Sequence, residues 1–119
     1  MTLLGLFVLV PIIGFRTAAA DDAWPKTAEL AAPEAIQAAA ADGQFVYAIA
    51  SKQVAKYDRA TGRRIATSTG QAKHLNSGFL WKGKLLCAHS NYPTTPEKSE
   101  IKVLDPRSMK LSTFRDFGS

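Results

Sequence analysis

The sequence has a single cysteine, only two histidines and no block of like charge in 119 residues. One cysteine closes no disulfide within the chain and builds no thiolate metal site, so the fold has to rest on packing. Fifteen Lys and Arg face ten Asp and Glu, a formal charge of +5. These basic residues are scattered and never alternate with aromatics at a regular spacing, which excludes a basic tail and gives no signal for a nucleic-acid partner. Also missing are G-x-S-x-G, H-E-x-x-H, C-x-x-C, P-loop and G-x-G-x-x-G signatures. No catalytic residue, metal or cofactor is therefore assigned from motifs. What remains is a globular composition, 46% hydrophobic and 21% charged, in a length that suits one ordinary domain.

The chain opens on an uncharged apolar run, Leu3 to Phe15, followed by Ala18-Ala19-Ala20 and then Asp21-Asp22. The run is shorter than the roughly 20 residues that span a bilayer, and it fits the apolar region of an export signal with an A-x-A cleavage site. Residues 1–20 are expected to be a signal peptide, helical before cleavage, giving a secreted or periplasmic protein. Met1-Thr2 carries no basic residue, so an uncleaved segment anchoring the chain to a membrane is the alternative. Residues 21–34, framed by Pro25 and Pro33, read as a linker.

From Ala35 the chain repeats. Residues 34–49 overlay residues 74–89 at a shift of 40, with Gly43 on Gly83, and Val54–Gly62 overlays Ile101–Met109 at a shift of 47. Asn91 to Lys98, with Pro93 and Pro96, absorbs the difference. Units of this length, built of short apolar runs and tight turns, have the period of propeller blades. The expected fold is all-β: two four-stranded antiparallel meanders, residues 35–73 and 74–119. The strands are placed at about 36–41, 44–50, 53–57 and 63–69, then 78–81, 84–89, 100–104 and 110–115. The alternation around Lys102 and Lys56 reads as that of half-buried strands. The Ala-rich segment Ile36–Ala41 is taken as strand, although alanine favours helix, because it overlays Asn76–Trp81 without a gap.

The pattern Gly-x-hydrophobic-Tyr-Ala followed by Val-x-x-Tyr-Asp-x-x-Thr-Gly, in Gly43–Gly62, resembles the blade repeat of secreted bacterial β-propellers, including YVTN-type and quinoprotein-like repeats. His74-Leu75-Asn76-Ser77-Gly78 and His89-Ser90-Asn91-Tyr92-Pro93 are similar to segments of an exported subgroup. The resemblance covers about residues 36–117. It implies six to eight blades where this chain has two, and hence either a part of a larger propeller or a chain that assembles with further blades or with itself.

In such a meander the entry to the first strand and the loop between the second and third share one end. His74, Asn76 and Ser77, with His89, Ser90, Asn91 and Tyr92, are therefore the candidate ligand-binding residues, facing a small molecule, a glycan or a protein. The leading expectation is a non-catalytic binding module. The alternative is part of a lactonase-like, cyclotransferase-like or oxidoreductase-like propeller enzyme using His74 and His89 as acid and base. Each residue also has a plain structural role open to it: histidines holding loop backbone, Tyr92 packing, and Cys87 as a small buried hydrophobe.

Overall fold

The computed structural model describes residues 24–119. The expected signal peptide, its helix and its cleavage site lie outside the described residues. Those described are all β, in nine strands and two antiparallel sheets. The first sheet contains β1 (Ala38–Ala41), β2 (Phe45–Ile49), β3 (Val54–Asp58) and β4 (Arg64–Thr67), paired in chain order. The second contains β5 (His74–Leu75), β6 (Phe79–Trp81), β7 (Lys84–Ser90), β8 (Ser99–Asp105) and β9 (Lys110–Asp116). Both β5 and β6 pair with β7, so the second sheet is also a meander whose first strand is broken in two.

The alanine run is a strand because its backbone pairs with β2 over four residues, from Ala38↔Ile49 to Ala41↔Val46. Cross-strand pairing outweighs alanine's local preference for helix. The break between β5 and β6 is patched by side chain and backbone together. Asn76 N–H donates to the Ala88 carbonyl at 2.9 Å, and Ser77 Oγ accepts from Ala88 N–H at 3.1 Å. Gly78 sits where a Cβ would collide with the Ile49 side chain, so the break also lets the two sheets approach.

Hydrogen-bond register corrects the sequence overlay of the two units. Asp58 and Asp105 open equivalent turns: each carbonyl accepts from the N–H four residues on, in Gly62 and Met109, and both of those residues have positive φ. That confirms the shift of 47 for β3 and β8. But Asp58 pairs with Phe45, whereas Asp105 lies beside Lys84, its neighbour in register next to the Leu85↔Leu104 pair. The second and seventh strands therefore match at a shift of 39, not 40. The glycines that suggested 40 occupy different turn positions. Lys82-Gly83 forms a tight turn with both residues at positive φ, while at Asp42 the carboxylate accepts from the N–H groups of Gln44 and Phe45.

The core lies between the sheets. Tyr47, Ile49 and Val54 of the first pack against Leu75, Leu85, Cys87, Leu104 and Leu111 of the second. Fully burying side chains of this size contributes about 1.5–3 kcal/mol each. Burial also pushes the Cys87 thiol up to about 12, which keeps it protonated and inert. A polar seam stitches the same interface. Thr69 N–H donates to the Met109 carbonyl and the Thr69 carbonyl accepts from Leu111 N–H, both at 2.8 Å, and Leu75 N–H donates to the Ser51 carbonyl at 2.9 Å. Gly70, with φ of +97°, lies so close to the Leu111 carbonyl that no side chain fits there.

The outer face of the first sheet is covered by the chain itself. Leu30 and Ala32 pack on Val46, Ala48, Ala55 and Tyr57. Glu34, 8% exposed, accepts from Tyr57 Oη and, at 2.6 Å, from Arg64. Its carboxyl is held below the usual range chiefly by the Tyr57 hydroxyl. Residues 30–34 thus form a packed strap inside the stretch read as linker.

Candidate functional site

All seven sequence-selected residues lie at one end of the second sheet, as the meander requires, but on both of its faces. Adjacent strand residues point to opposite faces. Leu75 pairs with His89 and belongs to the core face, whereas His74 pairs with Ser90 on the outer face. The two imidazoles are back to back across the sheet and do not meet at one reacting centre.

On the outer face the His74 and Tyr92 rings lie 5.3 Å apart with their planes inclined at 52°. With Asn76 and Ser90 they line a shallow depression of about 180 Å³. Tyr92 is 60% exposed, so it is free to stack on something further. Ser90 Oγ accepts from Tyr92 N–H at 3.4 Å. Ser77 belongs to the strand patch described above. Asn91 holds the 91–98 loop, accepting from Lys98 N–H at 2.8 Å and donating to the Pro96 carbonyl at 3.0 Å.

On the inner face His89 is the centre of a different arrangement. Its Nε2 accepts from Lys73 N–H at 2.9 Å, which places the proton of the neutral ring on Nδ1. Nδ1 stands 3.0 Å from Glu100 Oε2, close enough to feel its charge but not aligned for a hydrogen bond, so the buried ring nitrogen has no hydrogen-bond partner. Burial, reinforced by the Lys102 charge and opposed by Glu100, lowers the His89 pKa and keeps the ring neutral near pH 7. Glu100 accepts from Lys102 Nζ at 2.8 Å, and that bond holds its carboxyl below the usual range. Lys102 Nζ also donates to Thr113 Oγ1 at 2.9 Å.

These groups line a cleft of about 230 Å³ with Lys73, Asn91 and Lys98 at its rim. Three ammonium groups against one carboxylate make it electropositive. Glu100 and Lys102 escape motif-based reading because neither belongs to a signature. Their spacing of two residues on one strand is the signal that puts them on one face. The phase is the reverse of what the apolar neighbours suggest: Lys102 points inward, its side chain 11% exposed, and Ile101 and Val103 point outward.

A larger cleft of about 530 Å³ opens between the sheets at the opposite end, by Asp42, Tyr47, Lys56, Lys84 and Asp105. Its carboxylates and two of its lysines are already matched. Lys56 Nζ donates to the Pro106 carbonyl at 2.8 Å and lies over the Phe45 ring, and Lys84 pairs with Asp105 at 2.5 Å. The Lys84 ammonium and the Arg107 N–H hold the Asp105 carboxyl at about 2. This end reads as structural, and what sets the His89 cleft apart is its buried ring nitrogen without a hydrogen-bond partner. Among the described residues no three of His, Cys, Asp and Glu converge as a metal-ligand set. No protein-family model and no curated protein matches the chain.

Proposed function

We propose that this chain is an exported binding module of propeller-type repeats, and that it holds a small anionic ligand in the His89 cleft. The observation that carries the reading is the buried Nδ1 of His89, without a hydrogen-bond partner, in a cleft rimmed by Lys73 and Lys98. Buried polar groups in native proteins nearly always have partners, and an orphan donor beside ammonium groups suits an acceptor that arrives with a ligand. The two meanders and the A-x-A leader pattern support the propeller-type and exported parts of the reading. Solvent-exposed charge pairs are worth about 0.2–1 kcal/mol each, so a ligand held mainly by the two exposed lysines, Lys73 and Lys98, belongs to the weak regime, where a Kd near ~1 mM corresponds to about −4 kcal/mol.

The test is titration of the full chain with citrate and with inorganic phosphate, using glucose as the uncharged control, followed by amide and imidazole NMR shifts. The anions should move the resonances of His89, Glu100 and Lys102 and spare those of His74 and Tyr92. A Lys73→Ala, Lys98→Ala double variant, altered only at exposed positions, should lose that response. Silence with both anions, or movement with glucose alone, refutes the reading.

A further inference from the structure

The two sheets meet through faces that are not equivalent to each other. Under the corrected register, Val46, Ala48 and Tyr57 of the first sheet correspond to Leu85, Cys87 and Leu104 of the second. Likewise Tyr47, Ile49 and Val54 correspond to Leu86, Ala88 and Ile101. The first sheet projects Tyr47, Ile49 and Val54 onto Leu85, Cys87 and Leu104 of the second. One type of face, a plug, meets the other type, a socket, and the contact is head to tail. A heterologous contact of this kind leaves a free plug at one end and a free socket at the other.

Among the described residues the plug of the second sheet is exposed, whereas the socket of the first is buried beneath the strap. The plug of the second sheet carries Leu86, Ala88, Ile101 and Val103, none of them fully buried, beside Phe79 at 63% and Trp81 at 43% exposure. The socket of the first sheet is Val46, Ala48, Ala55 and Tyr57, covered among the described residues by Leu30 and Ala32 of the strap. The strap buries Ala48, Ala55 and Tyr57 and leaves a gap of about 430 Å³ at the edge of the socket, between residues 27–30 and Ala41, Val46 and the Arg59–Gly62 turn.

We infer that the plug of one copy docks on the socket of a second copy of this chain, with the strap residues Leu30 and Ala32 displaced from the socket. The interface inside the chain already shows how these two face types pack, and the association continues it between copies. A second copy is the occupant whose surface is known to carry the matching face. The strap acts as a stand-in cover, tied down at Glu34 by Tyr57 and Arg64.

Sedimentation velocity on the full chain over a range of concentrations tests this. The chain should show concentration-dependent association. Leu30→Asp, which unseats the strap, should move the transition to about tenfold lower concentration, the change that corresponds to about 1.4 kcal/mol. Phe79→Asp with Trp81→Asp, at exposed positions of the plug, should abolish association with the circular dichroism spectrum and Tm unchanged. A chain that stays monomeric both as wild type and as Leu30→Asp overturns the inference. So does association indifferent to the Phe79 and Trp81 pair. Association lost in that pair but unmoved by Leu30→Asp indicates plug-to-plug pairing, and overturns it equally. None of these outcomes depends on the anion reading of the His89 cleft.

Discussion

The two sheets share a topology and a turn design, yet they treat their interior faces differently. The first sheet is apolar along the part that meets its neighbour, through Tyr47, Ile49 and Val54. The second changes character along its length. It begins with Leu85 and Leu104, passes through Cys87 beside Lys102, and ends with His89 beside Glu100. Two sheets of one topology can thus differ in polarity at the same end without any change of fold, because strand position alone decides where a polar pair is set. Among the described residues the outer faces diverge as well: the first is strapped and the second is exposed.

The sharpest way to break the comparison is at the shared interior. Leu85→Ala, at a fully buried position facing the first sheet, should cost about 2–5 kcal/mol in urea unfolding, the usual range for such truncations. The same measurement on a bare-face residue such as Phe79 should show little change, and equal losses would mean the outer face is not free. Next in size is the strap. Glu34→Ala leaves the Tyr57 hydroxyl without its acceptor, and a buried group so orphaned costs about 1–3 kcal/mol. Near-zero loss would show that the strap contributes nothing to the first sheet.

The smallest effect is a pH dependence specific to the second sheet. The His89 pKa is lowered on folding, so below its ordinary value of 6.5 the unfolded chain binds the extra proton first. Its contribution is complete above pH 6.5 and is lost as pH falls towards the folded value, with a slope of at most about 1.4 kcal/mol per pH unit for one proton. His89→Gln should remove that part of the profile and leave the steeper acid loss from Glu34, Glu100 and Asp105, whose depressed carboxyls protonate below their ordinary values. An unchanged profile in His89→Gln would move the titration elsewhere.

Much of this architecture is legible in the sequence, since turn residues and apolar runs are local signals. The β3–β4 and β8–β9 turns could be matched from Asp58 and Asp105 alone. The β-meander was similarly readable through Ala38–Ala41, although that segment needed the repeat to overrule alanine's helix preference. Register was not legible at this level: a one-residue difference between shifts of 39 and 40 inverts every side chain, and paired glycines are a poor guide when the two turns differ in type. For the same reason His74 and His89 could be put at one end but not on their faces. Leu30 and Ala32 went unread because a strap has no periodicity; its packing depends on a sheet distant in sequence.

Gly70 gives the seam one more consequence. It is the residue just before Gln71, Ala72 and Lys73, which form one wall of the His89 cleft. Its missing side chain allows the backbone to lie against the Leu111 carbonyl, and the Thr69 bonds to Met109 and Leu111 fix it there. Any Cβ at this point would have to lever the 69–73 segment away from β9, carrying the Lys73 N–H off His89 Nε2. The aperture of the cleft is therefore gauged by a spacer of atomic thickness, contributed by the one residue in the neighbourhood that has nothing to offer a ligand.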